Sequence, residues 1–215
     1  MNKPRVIFLD AVETIIGLRG SVGEIYANLA QQAGVTVNPE AVNQAFYQSF
    51  KASTPCAFPG VELAEIPQWE YNWWRAIAYS TFARVGVINQ FADFEGFFAA
   101  VYQYFATPKP WYVYRDVIPS LIHWQEEGIE LGIISNFDTR IYSVLEGLGL
   151  KEYFDSITIS SLVGAAKPDE QIFLSALEKH QCQPNQAWHI GDSFSEDYQG
   201  AISVGIKGFC LERKA

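Results

Sequence analysis

Positive charge is scarce in this sequence. Against 24 Asp and Glu it sets 15 Lys and Arg, a formal charge of -9 with a pI near 4.8. No broad basic surface is available to gather the phosphates of a nucleic acid, so a nucleic-acid partner is not expected. Cysteine is scarce too. Cys56, Cys182 and Cys210 are odd in number and lack CxxC spacing, which speaks against a disulfide framework and a zinc site and favours a reducing compartment. Long apolar runs are missing. The opening run is cut by Asp10 and is followed by no small-residue cleavage site. Nothing approaches the roughly 18 consecutive apolar residues that mark a membrane helix. A cytoplasmic protein without a membrane partner is the expectation.

What the sequence does hold is aromatic, and unevenly placed. Of its 32 Phe, Tyr and Trp residues, 17 lie between positions 46 and 110. From Ser21 to about Pro110 the apolar residues recur at helical steps, as in Phe94, Phe97, Phe98, Val101, Tyr102 and Phe105. Such stripes predict the packed faces of a small helical bundle, whose thin core needs bulky side chains, rather than a ligand box.

Outside this segment the pattern alternates. RVIFLD (5–10) predicts a buried strand running into loose turns with Gly17, Gly20 and Gly23, whose spacing does not fit a dinucleotide loop. Beyond residue 111, helices are expected over 116–127 (capped by Asp116), 138–149, 168–181 (opened by Pro168) and 195–205. Strands are expected over 131–136, 157–161, 187–192 and 206–211. Continuous apolar strands separated by helices imply an α/β fold with a parallel sheet covered on both faces. Residues 1–15 and 111–215 are expected to form this core, split by a helical insert over 16–110.

In open parallel sheets, ligands bind beyond the carboxyl ends of the strands. There this sequence sets Asp10, Ser135 with Asn136, and Asp192, while Lys167 precedes Pro168 in a loop that opens a helix. Each is ordinary loop chemistry when taken singly. Together, two carboxylates can hold one Mg²⁺, a hydroxyl and a backbone amide can hold phosphoryl oxygens, and an ammonium can offset developing negative charge.

VIFLDAVET, LGIISN, AAKPD and HIGDSFSED resemble, in that order, the four motifs of the haloacid dehalogenase-like (HAD) hydrolase superfamily. The insert resembles its helical cap of the C1 type. FATPKPW, ISNFD and HIGDSFSEDYQGA further resemble the subgroup of haloacid dehalogenase-like hydrolase domain-containing proteins of the third type. The resemblance implies a Rossmann-like core and a small-molecule phosphorylated substrate, with Asp10 as the nucleophile that forms an aspartyl-phosphate. It implies Mg²⁺ held by Asp10, the backbone carbonyl of Val12 and Asp192. Ser135 and the amide of Asn136 would take phosphoryl oxygens, with Thr14 bracing the loop on the phosphate side. Lys167 would neutralise charge, supported by Asp197.

One departure weakens the implied chemistry. Where the superfamily's phosphatases carry a second Asp as general acid and base, this chain has Val12, followed by Glu13 in place of the usual glycine. Glu13 is expected to face solvent, as is Glu196, and His189 to be a hydrogen-bonded core residue; none of the three histidines shows a serine or carboxylate partner pattern. The departure opens two alternatives, a non-catalytic phosphate- and metal-binding or partner-sensing protein, and a 2-haloacid dehalogenase-like enzyme. The second is opposed by Asp192, whose clearest use is a metal that those dehalogenases do without. Arg19 and Lys51, possible contacts for a substrate in the dehalogenase and phosphonatase-like readings, are expected at the surface.

Overall fold

A computed structural model describes residues 3–213. Strand β1 (Val6–Leu9) opens the chain, followed by β2 (Ile16–Leu18) and helices α1 (Val22–Gln32), α2 (Pro39–Ala52), α3 (Ile66–Val85) and α4 (Phe94–Phe105). After β3 (Trp111–Val113), strands and helices alternate: α5 (Val117–Glu126), β4 (Glu130–Ser135), α6 (Arg140–Gly147), β5 (Ser156–Ile159), α7 (Ser160–Val163), α8 (Glu170–Lys179) and β6 (Ala187–Gly191). A π-helical turn (Phe194–Gln199), α9 (Gly200–Ser203) and β7 (Lys207–Cys210) complete it.

The main sheet is parallel, in the order β5-β4-β1-β6-β7. Alternate residues of β1 point to opposite faces, and both faces are buried. Ile7 and Leu9 join Leu131, Ile133 and residues of α5 and α6 such as Leu121 and Val144. Val6 and Phe8 join Ile134 with Ile172, Phe173 and Ala176 of α8. Each large side chain so buried contributes about 1.5–3 kcal/mol relative to exposure. The fold is the expected α/β class with a parallel, doubly covered sheet.

Register fixes where the site must lie. Leu9 stands level with Ile133 and Ile190, so Asp10, Ser135 and Asp192 emerge within a residue or two of one line at the carboxyl edge. Gly132 is required further back in β4, because a Cβ there would meet the Phe8 ring at 2.7 Å and Ser156 Oγ at 2.8 Å. That hydroxyl bonds His180 Nε2 at 2.6 Å, and His180 Nδ1 bonds Glu130 at 2.6 Å. His180 thus has both a serine and a carboxylate partner, supplied by two other strands, which sequence spacing did not disclose.

Several boundaries differ from those expected. Residues 16–18, read as part of a loose turn, pair antiparallel with 111–113, Leu18 opposite Trp111. Ser160 and Ser161 open α7 rather than extending β5, and α8 begins at Glu170 with Asp169 accepting from the amide of Gln171. Asp116, expected to cap α5, makes no side-chain cap bond and accepts from Arg213 instead.

Helices α1 to α4 build their own core from Tyr26, Phe46, Ile77, Phe82, Phe97, Phe98 and Val101. Three of the aromatic-stripe residues are buried there, while Phe94, Tyr102 and Phe105 pack on its margin. The first helix is fixed by a capping box, in which Ser21 accepts from the amide of Glu24 and Glu24 from that of Ser21. A buried polar latch joins this helical layer to the turn after β4. Asp138 accepts from Trp74 Nε1 of α3 at 2.6 Å and pairs with Arg140. Glu70 of α3 accepts from the amide of Thr139 at 2.9 Å and from its hydroxyl.

Candidate active site

A cavity of about 690 Å³ lies between the carboxyl edge of the sheet and the helical layer, and Asp10, Val12, Ser135, Asn136, Lys167, Asp192 and Asp197 all line it. Residues separated by up to 187 positions in the chain meet here because each follows a strand or opens the loop beside one.

At its base is a buried charge cluster. Lys167 Nζ donates to Asp10 Oδ1 at 2.6 Å and to Asp197 Oδ1 at 2.5 Å. Burial alone would favour a neutral lysine, but Asp10 and Asp197 outweigh it and raise its pKa. Asp197 also accepts from His189 Nε2 at 2.8 Å and, through Oδ2, from the amide of Ser193 at 3.0 Å. Burial opposes its charge, yet the bonds from His189 and Lys167 hold it well below the usual carboxylate range. Burial and then the nearby Lys167 charge lower the pKa of His189, against the pull of Asp197. This fixes a neutral imidazole that donates from Nε2 and leaves Nδ1 without a partner. It is the hydrogen-bonded core histidine the sequence suggested.

Local backbone design brings Asp197 here. Ser193 caps the turn after β6 by accepting from the amide of Glu196 at 3.2 Å. The amide of Tyr198 reaches back to the Ser193 carbonyl at 3.2 Å, giving the wider π-helical turn that recurs at functional sites. Gly191 permits the approach, since a Cβ there would fall 2.1 Å from the Asp197 carboxyl carbon.

Asp10, Asp192 and Asp197 each offer one oxygen, all within 4.8 Å of one another. Partial burial, then repulsion from Asp10 and Asp197, pushes Asp192 up to about 6. A divalent cation would relieve that repulsion. Because both Asp197 oxygens are already engaged, the set fits a cation held by Asp10 and Asp192, with Asp197 supporting Lys167. The amides of Thr14, Ile15 and Ile16 converge on the Ala11 carbonyl, which leaves the carbonyl of Val12 outside that turn, as a third oxygen ligand requires.

Other residues have surroundings the sequence did not show. Thr14 is fully buried and is not among the residues lining the cavity; its hydroxyl reaches Asp192 Oδ1 at 3.4 Å and so braces a carboxylate. The Asn136 side chain clamps the backbone of Lys167, accepting from its amide at 2.7 Å and donating to its carbonyl at 3.0 Å. The same amide group donates to Glu196 at 3.1 Å. Glu196 and Glu13, both expected in solvent, line the cavity despite their exposure. Burial, with Asp197 and Asp10 nearby, raises the pKa of Glu196. Glu13 adopts a φ of 60°, a left-handed conformation in which glycine is at ease, and accepts from the Tyr114 hydroxyl at 2.7 Å. Lys51, expected at the surface, is exposed and lies at the cavity's edge.

Sequence reasoning missed the Asp138–Arg140 pair and Trp74, which also line the cavity. The only local signal was an acid and a base two residues apart, just after the Ser135-Asn136 motif.

Comparison with known proteins places the chain by family and by fold. Residues 4–205 match the family of haloacid dehalogenase-like hydrolases. The chain is 37% identical over 212 residues to haloacid dehalogenase-like hydrolase domain-containing protein 3 of Mus musculus, covering 96% of this chain and 81% of that one. It is similar in fold to a HAD phosphatase from Thermococcus onnurineus (TM-score 0.63, 24% identity, 98% of this chain and 87% of that). It is also similar to L-2-haloacid dehalogenase from Xanthobacter autotrophicus (TM-score 0.66, 16% identity, 99% and 79%).

Proposed function

Because the chain belongs to the haloacid dehalogenase-like hydrolase family, we propose that it is a Mg²⁺-dependent phosphohydrolase acting on a small phosphorylated molecule, with Asp10 as nucleophile and the helical layer as cap. The observation that carries this reading is the buried Lys167 ammonium held between Asp10 and Asp197. It sets a positive charge against Asp10 and fixes one of its oxygens, while the Asp10 side chain borders the cavity.

In the reaction, an Asp10 carboxylate oxygen attacks phosphorus as the ester P–O bond breaks, and the bonding pair leaves with the organic oxygen. Water then attacks the acyl phosphate, returning the carboxylate and releasing phosphate. Ser135, buried on the cavity wall, and the Asn136 amide bind the phosphoryl oxygens. Lys167 balances the negative charge that gathers there. Asp10, Asp192 and the Val12 carbonyl would hold Mg²⁺, which when bound supplies further charge neutralisation.

At Val12 nothing can give the leaving oxygen a proton. A positioned acid and base contributes about 10²–10⁴ in rate, so turnover is confined to good leaving groups, as in aryl and acyl phosphates. In a Mg²⁺-dependent assay on such esters, Asp10→Asn is expected to lose at least about 10³ in kcat/KM; activity retained by the variant overturns the nucleophile assignment. Val12 also favours a second reading, a non-catalytic sensor of phosphate and metal. That reading predicts binding of Mg²⁺ and a phosphate mimic with no turnover of any ester.

A further inference from the structure

Above its acidic base the cavity changes character. Phe46, Phe50, Trp73, Trp74, Tyr102 and Trp111 line it, and several of these rings pack on one another. Trp74 lies parallel to Phe46 at 6.5 Å, inclined at 28° to Phe50 at 6.0 Å and edge-on to Trp73 at 4.7 Å. What matters is what these rings leave available. Trp73 Nε1 donates to the Thr54 carbonyl at 2.9 Å, Trp74 Nε1 to Asp138 at 2.6 Å, and Trp111 Nε1 to the Phe105 carbonyl at 3.1 Å. With every one of these indole donors engaged inside the protein, the tryptophan rings offer apolar faces and edges, and among the six rings only Tyr102 carries another polar group.

Two of the three cationic groups on the wall are engaged as well. Arg140 gives Nε and Nη2 to Asp138 at 2.8 and 2.6 Å and is sandwiched by Tyr102 and Trp74, 4.0 and 5.1 Å from their centroids. Lys167 is held by Asp10 and Asp197. Lys51 is exposed at the last turn of α2. The remaining charged groups on the wall, Asp10, Glu13, Asp138, Asp192, Glu196 and Asp197, are acidic. Such a chamber accepts one phosphoryl group at its base and repels a second anion. A polyhydroxylated remainder laid against the ring faces would lose more of its hydrogen bonds to water than the polar groups beside them replace. A flat aromatic one would stack.

Resting on the phosphohydrolase reading, we propose that the substrate class is the phosphate monoester of an aromatic alcohol bearing no further negative charge. An independent observation points the same way. A phenol, with a pKa near 10 as in the tyrosine side chain, leaves as its anion far more readily than an alkanol, so this class is also the one that tolerates Val12.

The test separates binding from turnover. Affinities of two non-hydrolysable probes, 1-naphthylmethylphosphonate and methylphosphonate, are measured by calorimetry on the full chain with Mg²⁺ present, and acetyl phosphate hydrolysis is followed in parallel. The naphthyl probe is expected to bind at least about 30-fold more tightly. Phe50→Ala is expected to weaken it about 10-fold and to weaken methylphosphonate, which is too short to meet the rings, far less. Phe50→Leu, which keeps apolar volume without a ring face and guards against a packing defect, is expected to lose most of the same increment. Equal affinity for the two probes, or glucose 6-phosphate hydrolysed with a lower KM than 1-naphthyl phosphate, overturns the substrate class while acetyl phosphate turnover upholds the phosphohydrolase. Aryl-selective binding without turnover of any ester overturns the phosphohydrolase and leaves the ligand class standing.

Discussion

An alkoxide leaving group needs a proton, and the side chain of Val12, half-buried on the cavity wall, has none to give. Restoring a carboxylic acid there supplies both the missing proton and a base for the second step. Val12→Asp is therefore expected to raise kcat on an alkyl phosphate about 10²-fold or more, with a smaller gain on an aryl phosphate, whose departure is easier. Steady-state rates on the two esters check this, and an equal gain on both removes leaving-group protonation as the reason. The nearby Glu13 has one of its carboxylate oxygens tied to another group, accepting from the Tyr114 hydroxyl. Burial and hydrogen bonds to Tyr112 and Glu13 push the pKa of that hydroxyl far up, which keeps it protonated and donating.

Among the elements, the turn between β4 and α6 does two jobs. Its first residues, Ser135 and Asn136, line the cavity, and the next ones fasten α3 and α4 to the sheet through Asp138, Thr139 and Arg140. Arg140 and Asp138 are almost wholly removed from water, so breaking the pair by losing one partner leaves a buried charge uncompensated. Arg140→Met is expected to destabilise the fold by about 3–5 kcal/mol. The exposed pair Lys151–Glu146 is the comparison, since screening by solvent holds Lys151→Met within about 1 kcal/mol. Urea unfolding of both variants measures the contrast, and equal losses contradict a latch. If the latch also positions the aromatic walls, Arg140→Met loses aryl affinity before it loses metal affinity.

Over the whole molecule, what could be read from the sequence was what is local. Continuous apolar strands, and the acid, hydroxyl or ammonium just after them, betray the α/β sheet and its charged edge because a strand's burial is written in its own few residues. What could not be read depends on partners far along the chain. Leu18 pairs with Trp111 and Glu13 meets Tyr114 across 101 positions, and segments of three residues carry too little periodicity to announce such pairing. The contact of Thr14 with Asp192 spans 178 positions and is equally invisible in the sequence. The gathering of Asp10 and Asp192 also has a consequence for stability. The pKa of Asp192, raised to about 6 from an ordinary value near 3.9, means that the folded state favours its protonated form. This contribution to stability is complete below about pH 4 and is lost as pH rises through about 6. A cation bound at the site replaces it above that range. Mg²⁺ at about 100 times its dissociation constant is expected to stabilise the fold by about 2.7 kcal/mol, a rise in Tm of about 5–10 °C for a chain of this size. The rise should shrink as pH falls from 7 to 5, where protons compete for Asp192, and should vanish in Asp192→Asn, whose metal-free Tm should also lose its dependence on pH across that window. Thermal scans of both proteins with and without Mg²⁺ measure this, and a shift that survives in Asp192→Asn places the cation elsewhere.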